Sequence, residues 1–186
     1  MNIPKLAKAY FSLLDQKIGP FDRPIQSRIL PFDAGGSLNF LTVGAGRQEF
    51  VTYVSWDLFG HAAQKRGALG RYELAAECDE EQWCVDVLTS IGRQSLVDLF
   101  QDGDTLAIGP WVGSEAPLQG IVFEEMLSAQ LRAGLRREPC GVLRCIGVTQ
   151  GELDFARIHG VPALLDRFRQ AGLYPRTQER RATIAL

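Results

Sequence analysis

Residues 141–160 read GVLRCIGVTQGELDFARIHG, a strand set directly against a helix. Gly141 to Val148 is apolar apart from Arg144 and partly β-branched, as a largely buried strand requires. Thr149-Gln150-Gly151-Glu152 then has the spacing of a capping box. In that device the Thr149 hydroxyl and the Glu152 carboxylate satisfy each other's free backbone N–H groups. A helix is therefore expected from about Gln150 to Gly160. Pro162 suits the first turn of a second helix, with Leu164, Leu165 and Phe168 buried and Gly172 as its stop.

Upstream the same mixture continues. Asp102-Gly103-Asp104 marks a turn into a strand over Thr105 to Ile108, and Leu118 to Phe123 reads as another. Arg71 to Cys78 alternates, with Tyr72, Leu74 and Ala76 on one side. Asp79, with Gln82 three residues on, predicts a capped helix. Its apolar face is Trp83, Val87, Leu88 and Ile91, continued by Leu96, Leu99 and Phe100. Gly92 within it costs about 1 kcal/mol against alanine, so a bend or break is expected there.

Phe50 to Ser55 is the best strand of the N-terminal half, after a turn at Gly44-Ala45-Gly46-Arg47. Phe21 to Leu30 and Ser37 to Val43 are short β-prone segments, parted by Asp33-Ala34-Gly35-Gly36. Leu6, Ala9, Tyr10, Leu13, Leu14 and Ile18 form one stripe of a helix from Pro4 to Ile18, stopped by Gly19-Pro20. Gly60 to Gly70 reads as a loop with Gln64, Lys65 and Arg66 exposed. The tail from Arg176 is polar, then β-prone over Ala182 to Leu186.

Strands in groups, with helices at the start, middle and end, predict an α+β domain. Its core is a mixed, largely antiparallel β-sheet with helices packed mainly on one face. No repeat or linker divides the chain, so residues 1–186 read as one domain. A chain of this length buries about 70% of its unfolded surface and needs no metal or disulfide to fold.

The net charge of −2 argues against a nucleic-acid partner, whose affinity needs a basic surface. Arg132, Arg136, Arg137 and Arg144 form one basic run, and Glu77, Asp79, Glu80, Glu81 and Asp86 one acidic run. Both read as solvated faces that also steer a charged partner. The N-terminus lacks a signal-peptide layout and no apolar run reaches the ~18 residues of a membrane helix, so a cytoplasmic location is expected. Cys78, Cys84, Cys140 and Cys145 lie in apolar segments without a CxxC pair and read as buried reduced thiols.

The chemical motifs are thin. Gly44-Ala45-Gly46 lacks the third glycine and the following helix of a dinucleotide site. His61 and His159 stand far apart and no HExxH occurs, so no metal or cofactor is expected. Glu80-Glu81 and Glu124-Glu125 are adjacent and point apart, unsuited to acid–base work. A small cysteine-dependent hydrolase or transferase using Cys84 or Cys145 remains as an alternative, although strand and helix interiors are where thiols are inert. What stands out is Tyr53 to His61, where a strand runs into Trp56, Asp57, Phe59 and His61, with Trp111 as a second aromatic after Gly109-Pro110. Aromatics at strand ends serve as lids on a core, and are also the side chains that dominate protein-binding hot spots.

These segments, in this order, resemble the suppressor-of-fused family, specifically its N-terminal domain and its bacterial single-domain relatives. Tyr53-Val54-Ser55, Asp57-Leu58-Phe59-Gly60 and Tyr72-Glu73-Leu74 look like the family's Tyr-Ile-Ser, Asp-Leu-Tyr-Gly and aromatic-Glu-Leu segments. The Trp83 helix and the Gly103-Asp104 turn fit the same pattern. Gly141-Val142, Ile146-Gly147-Val148-Thr149, Glu152-Leu153, Gly160, Leu164-Leu165 and Thr177-Gln178-Glu179-Arg180-Arg181 complete it, and the resemblance spans residues 48–186.

The resemblance implies a non-catalytic protein-binding domain. Animal members hold a transcription-factor peptide as an added strand between two domains, and bacterial members are proposed to neutralise toxin domains encoded nearby. His61 stands where the family commonly has an acid, so the animal peptide specificity is not carried over. The expectation is an immunity-type binder with Trp56, Asp57, Phe59, His61 and Trp111 as its surface, acting as a monomer or homodimer. A homo-oligomeric structural subunit is the third reading.

Overall fold

The computed structural model describes residues 3–22, 26–29, 37–44, 49–56, 58–133 and 136–186. The expected turns at Asp33 to Gly36 and Ala45 to Arg47, and the candidate Asp57, lie outside them. The chain forms α1 (Ile3–Ile18), β1 (Gln26–Ile29), β2 (Ser37–Val43), β3 (Val51–Ser55), a 3-10 turn (Leu58–Gly60), β4 (Arg71–Cys78) and α2 (Glu81–Gln94). It continues with β5 (Thr105–Ala107), α3 (Gly109–Val112), β6 (Gly120–Ala133), β7 (Arg136–Val148), α4 (Gln150–His159), α5 (Val161–Gln170) and β8 (Arg176–Thr177).

One sheet has the order β1-β2-β3-β4-β7-β6-β5, with β8 also beside β4. Among the described residues only the β4–β7 and β4–β8 pairs are parallel, so the sheet is mixed and largely antiparallel. Side chains alternate across it. Val54, Ala75, Cys140 and Val142 meet Tyr10 and Leu14 of α1. Tyr53, Leu74, Leu143 and Cys145 meet Leu88 and Ile91 of α2 on the opposite face. Val122, Ile146 and Val148 meet Leu153, Leu164 and Phe168 of α4 and α5. Val142 and Ile146 have the same parity along β7, so α1, α4 and α5 share one face and α2 covers the other. Helices mainly on one face is what the sequence pattern predicts.

The long β6–β7 hairpin was only half visible in sequence, as Leu118 to Phe123 and Gly141 to Val148. Its register shifts between Glu125 and Leu127. The bulge resets the alternation, so Val122 before it and Leu127, Ala129 and Leu131 after it turn to the same face. One strand thereby supports α4 and α5 at one end and α1 at the other.

Four expectations change. Asp79 does not cap α2: the N-cap is Glu80 with no side-chain hydrogen bond, and the Asp79 carboxylate accepts the Glu179 N–H instead, at 3.1 Å. α2 runs unbroken through Gly92 and ends at Gln94. A Cβ on Gly92 would come within 3.0 Å of Leu38, so this glycine serves close helix–sheet packing rather than a bend. Gln64 is buried, not exposed, because its amide bonds both the N–H and the carbonyl of Tyr72 and stands in for a neighbouring strand. Ala182 to Leu186 forms no strand.

The tail is instead tied by charge. Glu152 is fully buried and completes the capping box with Thr149. Its two oxygens also accept Arg181 Nη1 and Nη2 at 2.5 and 2.6 Å, and Oε1 accepts the Ile184 N–H at 3.0 Å. Arg181 Nη2 also donates to the Gly147 carbonyl at 3.2 Å, and the guanidinium lies 4.9 Å from the Phe168 ring centre.

Candidate protein-binding site

The segment after β3 is fixed by two residues of β4. Glu73 is fully buried. Its carboxylate accepts the Ser55 hydroxyl at 2.5 Å and the N–H groups of Leu58 and Phe59 at 3.2 and 2.8 Å. Those N–H groups open the 3-10 turn, where no backbone acceptor is available to them. Arg71, two residues earlier and so on the same face of β4, holds the far end. Its Nη1 donates to the carbonyls of Phe59 and His61 at 2.8 and 3.3 Å. An acid on the N–H end and a base on the carbonyl end match the polarity of a helical turn.

Tyr10 of α1 closes this assembly from above. Its ring stacks on Phe59 at 4.3 Å and its hydroxyl donates to the Gly141 carbonyl. Burial first, and the Glu73 carboxylate second, push the Tyr10 hydroxyl well above its ordinary pKa. Burial, followed by nearby Arg66, lowers that of Arg71.

The expected surface residues are not all brought together. Phe59 is 3% exposed and belongs to the interior, because Tyr10 covers it. Trp56 is half-buried and meets Phe11 edge-on at 4.7 Å, while Phe11 meets Phe21 at 5.8 Å. This gives a partly exposed aromatic cluster on the α1 face. Neither Phe11 nor Phe21 was singled out from sequence. Phe11 falls off the buried stripe of α1, and an aromatic ring off that stripe was the available signal. His61 is half-buried beside the 3-10 turn, its N–H donating to the Leu58 carbonyl at 3.0 Å. Trp111 is 41% exposed, and with Trp83 of α2 it lines a separate groove on the opposite face. The structure therefore divides the aromatics into two surfaces.

All four cysteines are free and buried. Burial raises the thiol pKa of Cys84 and Cys145 well above the ordinary value and that of Cys140 to about 11. Buried protonated thiols are poor nucleophiles. A thiol-reactive chromogenic disulfide should label none of them in the native protein and four per chain after denaturation. One fast native thiol would revive cysteine chemistry. Among the described residues, no group of three His, Cys, Asp or Glu side chains could hold a metal ion, and no helix is long and apolar enough to cross a membrane.

One mixed sheet with helices on both faces, a turn held by buried charges and aromatic rings at two surfaces define an α+β domain. The chain belongs to the suppressor of fused protein (SUFU) family, whose model matches residues 36–181. That match starts earlier than the segment resembling the family by motif, and includes β2. The fold is similar to a Neisseria gonorrhoeae protein described as a suppressor of fused homologue, with 19% identity, TM-score 0.67 and 98% of each chain covered. A chain from a Sufu–Fu complex matches at 15% identity and TM-score 0.65, over 95% of this chain and 91% of that one. Drosophila Suppressor of Fused matches at 15% identity and TM-score 0.54, over 78% of this chain and 42% of its own. Among curated proteins no sequence relative matches.

Proposed function

We propose that this chain is a non-catalytic binding domain that occludes a protein partner, of the immunity type that neutralises a toxin domain encoded nearby. The observation that carries the binding step is the half-buried Phe11–Trp56–Phe21 cluster beside strands at one end of the sheet. Half-buried rings already held by their neighbours lose little entropy on contact, which is why such residues dominate interfaces. The sheet ends at β1 and β5 among the described residues, and an end strand offers unpaired backbone groups to which a partner strand can add. The crystallised Sufu–Fu complex supports a protein as the ligand class. Four reduced thiols suit the cytoplasm.

The test is affinity capture from the native cell with Trp56→Ala and Trp111→Ala as parallel baits. A stoichiometric partner lost with Trp56→Ala supports the α1-face site, and an expected weakening is about tenfold or more. Equal capture by both variants and the parent would sink the site. Expression of the captured protein alone should arrest growth and co-expression with this chain should restore it. A harmless partner removes the immunity reading and leaves protein binding in place. Sedimentation of the pure chain separates these outcomes from a self-assembled structural subunit.

A further inference from the structure

The second aromatic surface has its own chemistry. An open groove of about 400 Å³ lies between α2, α3 and the C-terminal tail, lined by Trp83, Trp111, Glu80, Asp86, Glu179 and Arg180 among others. Two indole rings stand with three carboxylates and one guanidinium, a local balance of −2 on a chain whose whole net charge is −2.

Acids at the start of α2 have a local explanation, since Glu80 and Glu81 complement the positive end of the helix. Asp86 lies beyond the first turn and Glu179 comes from the tail, so the helix dipole accounts for neither. Asp79 fixes Glu179 there by accepting its backbone N–H at 3.1 Å. Gln82 donates to Asp86 at 2.6 Å, which orients that carboxylate on the α2 side of the groove. The guanidinium that lines the groove is loosely held: Arg180 is 90% exposed and sits 3.6 Å from Glu179. An exposed pair of this kind is readily displaced.

We propose that this groove binds a basic segment of a protein partner, with an arginine or lysine side chain laid across Trp111 and Trp83 and its charge met by Glu80, Asp86 and Glu179. The indole face attracts a cation through its quadrupole, more strongly as water is excluded. The carboxylates from two chain segments supply charge complementarity and steer the approach. The volume sits at the small end of ligand pockets, roughly 300–1,000 Å³. This inference rests on the protein-binding reading and names the partner chemistry for a second contact, apart from the Trp56 cluster.

An eight-residue peptide alternating arginine and glycine is the probe, with the glutamate-for-arginine peptide as its control. The three tryptophan indole N–H signals, assigned through Trp→Phe variants, report where each binds. The arginine peptide should move the Trp83 and Trp111 signals and leave that of Trp56 in place. Binding should weaken about tenfold in the Asp86→Asn/Glu179→Gln variant, and weaken as salt is added. Asp86 is exposed and Glu179 half-buried, both replacements keep the side-chain shape, and an unchanged melting temperature in the variant checks that the fold is intact. Movement of Trp56 alone, equal binding of the glutamate peptide, or unchanged affinity in the charge variant would each overturn the proposal. If the arginine peptide fails while partner capture still needs Trp56, only the groove falls. If it binds while no protein partner can be captured, the protein-binding reading fails instead.

Discussion

Arg181→Ala is expected to destabilise the fold by about 3–5 kcal/mol at neutral pH, the cost of leaving one member of a buried ion pair unpaired. Arg181 is 6% exposed by side chain and Glu152 fully buried, with both oxygens engaged. In a chain of this size that loss lowers the melting temperature by roughly 6–20 °C. A drop under about 2 °C would mean that water replaces the guanidinium without cost. Adding Glu152→Gln should return part of the lost stability, because no buried charge is then left alone.

The pH dependence has a defined sign. Burial by itself would raise the Glu152 pKa; the Arg181 guanidinium, with the N–H groups of Ile184 and Thr149, more than offsets it and holds the carboxyl below its usual range. A lowered folded pKa contributes stability fully present above the unfolded value, about 4.3, and lost as pH falls through the folded one. Parent and Arg181→Ala curves of stability against pH should therefore converge below pH ~4. Parallel curves down to pH 2 would contradict this role for the pair.

Glu73→Ala should cost about 3 kcal/mol or more. It strips the Ser55 hydroxyl and the Leu58 and Phe59 N–H groups of their acceptor, at about 1–3 kcal/mol for each buried donor, less what entering water restores. The melting temperature should fall by roughly 6–12 °C. Hydrogen exchange at Leu58 and Phe59 should rise well above the change in the core of β7, because these amides lose their acceptor directly. Partner capture through Trp56 should fail with it, since the 3-10 turn sets the path of the chain beyond β3. Retained protection at Leu58 and Phe59 would show that another group orders the turn.

The two buried acids differ in how far sequence foretold them. Glu152 was visible as the third residue of a capping box, because both partners of that device lie within one helical turn. Its pairing with Arg181 was not, since nothing local requires a tail residue to return there. Glu73 was visible only as part of an aromatic-Glu-Leu segment in a family resemblance. A carboxylate in an alternating strand ordinarily faces solvent, and only α1 lying over that face makes it interior.

Local patterning therefore determined the helices α1, α4 and α5, the strands with one clear apolar face, the α+β class and the buried thiols. These depend on interactions within a few residues and on the 3.6 and 2.0 periods. Tertiary structure decided the rest. Phe59 became a core ring because Tyr10 reached it from α1, and Asp79 turned from a cap into an anchor because the tail came alongside. The polar outward residues of β6 and β7 hid a hairpin that long-range pairing and one bulge revealed. Trp56 and Trp111, read as one surface, were parted because the sheet between them has two faces, and a one-dimensional pattern does not say which helix covers which.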